Sequence, residues 1–143
     1  MMTKTTSAGR AVVITEIDFD RLNQIVESRK YRATHPVFVA GLRQELDRGT
    51  IVPALEVAKG TVTMRSRVRV RDLRARERET FTLVYPEEAD IDEGKVSVLA
   101  PLGMALLGAR VGEVVEVKAP GGVRRFEVEE VLYQPEAAGD LHL

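Results

Sequence analysis

The chain has 143 residues, 44% hydrophobic and 30% charged, with a formal net charge of −1, enough for one cored domain or for one domain and a small appendage. It has no cysteine, which excludes disulfides, thiolate metal sites and cysteine nucleophiles, and its two histidines, His35 and His142, lie too far apart in sequence to suggest a ligand pair. No run approaches the ~18 consecutive apolar residues of a membrane span and residues 1–10 lack the apolar middle of a secretory signal, so a cytoplasmic protein with no membrane partner, no metal and no cofactor is expected.

Residues 1–10 are small, polar and unpatterned, and disorder is expected there. Residues 11–14, Ala-Val-Val-Ile, read as a short strand or an extended lead-in to a helix. Thr15 and Asp18 have capping-box spacing, with Asp18 itself as the alternative N-cap. Phe19, Leu22, Ile25 and Val26 then share one helical face, with Asp20, Arg21, Asn23, Gln24 and Glu27 opposite. Residues 28–35 have no periodicity and lead into Pro36, which suits the first turn of a second helix. There Phe38, Leu42 and Leu46 recur every fourth residue, Val39 widens the stripe, and Gly49 stops it. Two helices of about 10 to 13 residues, each ~15–20 Å long, are therefore predicted to face each other across a short loop, an antiparallel hairpin over residues 11–51. Residues 51–54 read as a linker, and a second unit is placed at residues 52–143.

Residues 61–64 and 65–72 read as strands. The second alternates strictly, setting Arg65, Arg67, Arg69 and Arg71 on one face and Val68 and Val70 on the other. Residues 79–85 supply a partner strand with Phe81 and Leu83 inward, and Pro86 ends it. Five carboxylates fall within residues 87–93, a density that keeps the segment at the surface as a loop. Residues 96–99 end a strand and Pro101 opens a short helix, with Leu102, Ala105 and Leu106 on its buried face and Gly108 free to close it in the left-handed conformation. Residues 114–118 and 123–128 form a hairpin around Pro120-Gly121-Gly122, a turn of about three to five residues. Phe126 and Val128 have the opposite parity to Val131, which predicts a bulge near Glu129 and Glu130. The tail beyond Pro135 is expected to pack irregularly. The fold class is α+β, a helical hairpin followed by a mainly antiparallel sheet on one short helix.

Seven arginines lie within residues 65–78. Guanidiniums on alternate strand positions, about 6.5–7 Å apart, match phosphates in reach, so weak non-specific DNA or RNA contact through Arg65, Arg67, Arg69 and Arg71 is one reading. The other, favoured because few aromatics interleave to stack on bases, is a solvated face paired with Glu77 or Glu79. The acidic run lacks the fixed spacing of a calcium loop. No Gly-x-Ser-x-Gly elbow is present, Pro120-Gly121-Gly122 opens a strand rather than a phosphate-binding helix, and no catalytic residue is assigned. Tyr31 is a partner contact or, by preference, a packing residue.

The run Ala100-Pro101-Leu102-Gly103-x-Ala105-Leu106-Leu107-Gly108-x-x-x-Gly112, with Ala119-Pro120-Gly121-Gly122 and Glu127-Val128-x-x-Val131-x-Tyr133, resembles the C-terminal, FKBP-like domain of the GreA/GreB family of bacterial transcript-cleavage factors. The tail Tyr133-Gln134-Pro135-Glu136-Ala137-Ala138-Gly139-Asp140 resembles the short-armed Rnk-type branch of that family, and the resemblance runs from Val12 onward. It implies that Glu88-Ala89-Asp90 and the start of the short helix grip a basic coiled-coil tip at the rim of the RNA polymerase secondary channel. Asp90, Pro101, Leu102 and Gly103 are then the polymerase-binding positions, while Ala100 departs from the serine common there. In the cleavage factors a long hairpin presents two tip carboxylates to the polymerase Mg²⁺. Here the expected tip holds Arg29, Lys30, Tyr31 and Arg32 and no acid. The implied function is a non-enzymatic regulator that binds bacterial RNA polymerase and competes with Gre factors without stimulating cleavage. The alternatives are residual Gre-like elongation activity, a nucleic-acid module, and an FKBP-like prolyl isomerase, which needs an aromatic-lined pocket that Phe81, Tyr85 and Phe126 would have to build.

Overall fold

Thr15 is extended, and its Oγ1 accepts the Asp18 amide at 3.1 Å in the computed structural model, which describes residues 12–141. Strand β1 (Val13–Thr15) therefore runs directly into helix α1 (Glu16–Glu27), with Thr15 as the N-cap. The expectation of disorder for residues 1–10, and His142, lie outside the described residues.

Residues 28–35 are not the predicted loop. Ser28 caps a further helix, α2 (Arg29–Thr34), its Oγ accepting the Tyr31 amide at 3.4 Å. None of the α2 residues is fully buried, so the helix leaves no hydrophobic period in the sequence. Helix α3 (Pro36–Arg48) starts at its proline and buries Val39, Leu42 and Leu46 in the same core as Leu22, Ile25 and Val26 of α1. An exposed Glu27–Arg43 ion pair of 2.8 Å also joins the two helices. The predicted linker is itself a strand: β2 (Thr50–Val52) pairs in parallel with β1, Ile14 opposite Ile51. The helical segment thus ends beside the point where it began.

The main sheet has the order β5-β4-β3-β7-β6, from β3 (Arg67–Asp72), β4 (Glu77–Val84), β5 (Lys95–Ser97), β6 (Val114–Ala119) and β7 (Gly122–Tyr133). Every neighbouring pair is antiparallel except β4 and β5. Residues 61–64 are not a strand; they hold one bridge, Thr61 to Arg110, and a turn. Along β7, Arg69 faces Glu130 while Val70 faces Val128, so Glu129 is the extra residue of the expected bulge. The β6–β7 connection is tighter than predicted: Ala119 pairs with Gly122, leaving Pro120 and Gly121 as the turn.

Helix α4 (Pro101–Leu106) begins at Pro101, and Gly108 closes the segment at φ +76°. Its predicted stripe is corrected. Gly103, Met104, Ala105 and Leu106 are buried in succession, whereas Leu102 is only half-buried. The helix is enclosed on most sides, so no single face carries its apolar residues. The tail is also corrected: α5 (Pro135–Ala138) follows Gln134, whose Nε2 donates to the carbonyls of Ala58 and Thr61 at 3.1 and 2.9 Å. Among the described residues no helix is long and apolar enough to cross a membrane.

Candidate functional site

The acidic segment is built, not slack. It folds as two short 3-10 turns, Pro86–Glu88 and Ile91–Glu93. Asp90 caps the second, its Oδ1 accepting the Asp92 amide at 3.1 Å. The Asp90 backbone pairs with Lys95 in both directions, at 3.0 and 2.9 Å. Glu88 takes three bonds from Arg65, from Nε to both carboxylate oxygens at 3.2 Å and from Nη2 to Oε2 at 3.0 Å, and the same guanidinium lies 5.3 Å from the Tyr85 ring centroid. Glu87 accepts the Tyr31 hydroxyl at 3.2 Å, which ties α2 to the turn. Partial burial and the Glu87 carboxylate both raise the Tyr31 phenol above its ordinary range.

Beside this turn lies a cleft of about 690 Å³ lined by Asp90, Pro101 and Leu102. Phe81, Val96, Val117 and Phe126 supply apolar lining, and Lys95 and Arg124 supply cationic lining. Arg124 is held in place by an ion pair with buried Asp72 and by the Phe126 ring, 5.1 Å away. That contact, followed by the amides of Ala75 and Arg74, keeps the Asp72 carboxyl below the usual range. Three of the four predicted docking positions therefore share one cleft. Gly103 does not line it: a Cβ there would sit 2.0 Å from the Ser97 carbonyl oxygen, so its role is close packing of α4 on β5.

The four-arginine face is broken. Arg65 precedes β3 in a left-handed conformation, φ +65°, and its side chain belongs to Glu88. Only Arg67, Arg69 and Arg71 remain in register. Their expected partners are corrected too, because Arg69 pairs with Glu129 and Glu130 of β7 at 3.4 and 3.0 Å rather than with Glu77 or Glu79. Arg78 joins Glu129 at 2.8 Å, and that bond, with Arg69, holds the Glu129 carboxyl below its usual range. At the tip, Arg29, Lys30 and Arg32 are exposed while Tyr31 is half-buried. Among the described residues no group of three or more His, Asp or Glu side chains gathers as a metal site would need.

Sequence reasoning gave Asp18 only a capping role, with Asp18 as the alternative N-cap; Thr15 is the N-cap, and the burial of Asp18 was missed. Its carboxylate is buried in the α1 core face and accepts the Met64 amide at 3.0 Å, joining α1 to the sheet region. Burial pushes its pKa up to about 6, and Glu136 adds to the rise against the Met64 and Thr15 hydrogen bonds. The signal was its place four residues before Leu22, on the same stripe.

The model described as transcription elongation factor, GreA/GreB, C-term, matches residues 57–133, and the model of the Rnk N-terminus matches residues 10–52. The chain belongs to the GreA/GreB transcription elongation factor family and carries the Rnk type of N-terminus. It is 42% identical to the regulator of nucleoside diphosphate kinase of Escherichia coli strain K12, over 90% of this chain and 94% of that protein. It is 34% identical to transcription elongation factor GreA of Rhodospirillum rubrum, over 89% of this chain and 85% of the other. Among solved structures it is similar to a GreA/GreB factor from Nitrosomonas europaea, with TM-score 0.72, 36% identity, and coverage of 87% of this chain and 99% of that one.

Proposed function

We propose that this chain is a transcription regulator that docks on bacterial RNA polymerase near its secondary channel, in the cytoplasm, and competes there with Gre factors without stimulating transcript cleavage. The observation that carries the reading is the cleft in which Asp90, Pro101 and Leu102 meet around an apolar floor. Such a floor with a carboxylate at its rim suits a helical element whose end is basic, the carboxylate steering the encounter and the apolar surface holding it. On this reading the α1–α3 region is a short helical hairpin and the sheet with α4 is an FKBP-like anchor. Its tip is cationic, and cationic side chains repel Mg²⁺ where a cleavage factor needs carboxylates to retain it.

The test is competition for core RNA polymerase between this chain and a GreA-type factor, followed by a cleavage assay on backtracked complexes. Displacement without release of short RNA is expected, and either absence of binding or cleavage by the purified chain overturns the reading. Asp90→Asn keeps the oxygen that caps the 3-10 turn and removes the charge. It should weaken binding about five- to tenfold with an unchanged melting temperature. Prolyl isomerisation is the second reading, favoured by Phe81 and Phe126 in the same cleft. Acceleration of isomerisation in a proline-containing tetrapeptide would support it.

A further inference from the structure

Three clefts meet at Pro101. The first is the one lined by Asp90 and Leu102. The second, about 540 Å³, runs between α2 and the acidic turn, past Tyr31, His35, Phe38 and Glu87. The third, about 630 Å³, follows the outward face of α3 along Pro36, Val37, Ala40 and Gln44, with Lys118 of β6 on its other wall. The surface is apolar at both ends as well as at Pro101: Ile91, at one end, is 91% exposed, and Val37, at the other, is 77% exposed. Its charge is graded. Asp90, Asp92 and Glu93 lie beside Ile91 and outnumber Lys95 and Arg124 of the same cleft, Glu87 faces Lys30 in the second cleft, and Lys118 lies toward Val37.

Resting on the polymerase-docking reading, we propose that the docking surface is composite. The outward face of α3, centred on Val37, forms its second half. The occupant is a helical segment of the polymerase with an apolar stripe from Ile91 to Val37 and basic side chains at the Ile91 end. At the β5 edge an added strand would meet Lys95 already paired with Asp90, which favours side-chain recognition in the groove there. The Tyr31–Glu87 bond and the packing of Phe38 on the core keep α3 in place, so the two halves present one rigid surface. The helical segment then acts as a second jaw at the docking face.

The experiment titrates fluorescently labelled chain with purified core RNA polymerase. Val37→Asp places a carboxylate at the second position of α3, where a helix start favours it, so the fold is preserved and a matching thermal melt verifies this. Binding should weaken about tenfold, as for a central apolar anchor, while Leu55→Asp, at a side chain 81% exposed but outside all three clefts, changes it less than about twofold. Wild-type affinity in Val37→Asp, with Asp90→Asn still weakened, overturns the composite surface and leaves the docking reading standing. Absence of polymerase binding by the wild type overturns both. Equal loss in Leu55→Asp, or wild-type self-association that Val37→Asp removes, overturns the proposal by assigning Val37 to non-specific contact or to a second copy of this chain.

Discussion

Asp18 occupies a position that the helical stripe reserves for an apolar side chain, and it has one strong reason to be there, the Met64 amide 3.0 Å away. Because burial lifts its folded pKa to about 6 from 3.8, the folded state prefers the neutral acid. Its favourable contribution is fully present below the unfolded value and is lost as pH rises through the folded one. The displacement corresponds to about 3 kcal/mol when complete. Asp18→Asn keeps an acceptor for Met64 without the charge. The variant should be the more stable protein at pH 8, by up to about 3 kcal/mol, with the difference vanishing below about pH 4. Chemical denaturation at both pH values measures it, and a pH-independent difference would refute the assignment. Gly103 belongs to the same scale. A methyl group there meets the Ser97 carbonyl, so Gly103→Ala should lose about 2 kcal/mol or more in stability. It tests packing rather than docking.

At the scale of the element, α2 is tied to the acidic turn by a side chain reaching across 56 positions, Tyr31 to Glu87. Tyr31→Phe removes that bond and leaves the ring. Amide exchange at Arg32 and His35, whose N–H groups bond Ser28 and Tyr31 in the α2 turns, should quicken about two- to fivefold while β3 and β7 amides stay unchanged. Uniform protection in the variant would show that Glu87 does not anchor the helix. The same elements explain what could be read beforehand. The stripes of α1 and α3, and the alternation of Val68 and Val70, were legible because burial there follows a period. Helix α2 was not, since it buries nothing fully. Strand β1 was legible as a short strand or an extended lead-in, whereas β2 was read as a linker because three residues are too few to express alternation. The arginine series misled at Arg65, where one left-handed residue turns the side chain out of register without altering the written pattern. In the cleft, Asp90, Pro101 and Leu102 came from a motif, whereas Phe81, Phe126 and Arg124 are brought there by pairing across β4, β3 and β7, which no local pattern encodes.

Across the whole molecule, the matched families divide the chain near residues 52–57, yet the packing crosses that line repeatedly. The Tyr31 hydroxyl bonds Glu87, Asp18 bonds Met64, and buried Val12 lies so near Gly108 that a Cβ there would be 2.2 Å from Val12 Cγ1. One core cluster contains residues of α1, α3, α4 and the main sheet, so unfolding should be a single cooperative transition. The chain has no tryptophan and three tyrosines, one on α2 and two in the sheet region. Tyrosine emission and far-ultraviolet circular dichroism therefore report both halves, and their melting curves should superimpose. Gly108→Ala sharpens the test, because it combines a positive φ with the clash against Val12. It should cost about 2 kcal/mol or more, lowering the melting temperature by roughly 6 °C or more in both signals together. Two separated transitions, with only one moved by the variant, would make the helical segment an independent unit, and a rigid surface spanning α3 and α4 could not then persist.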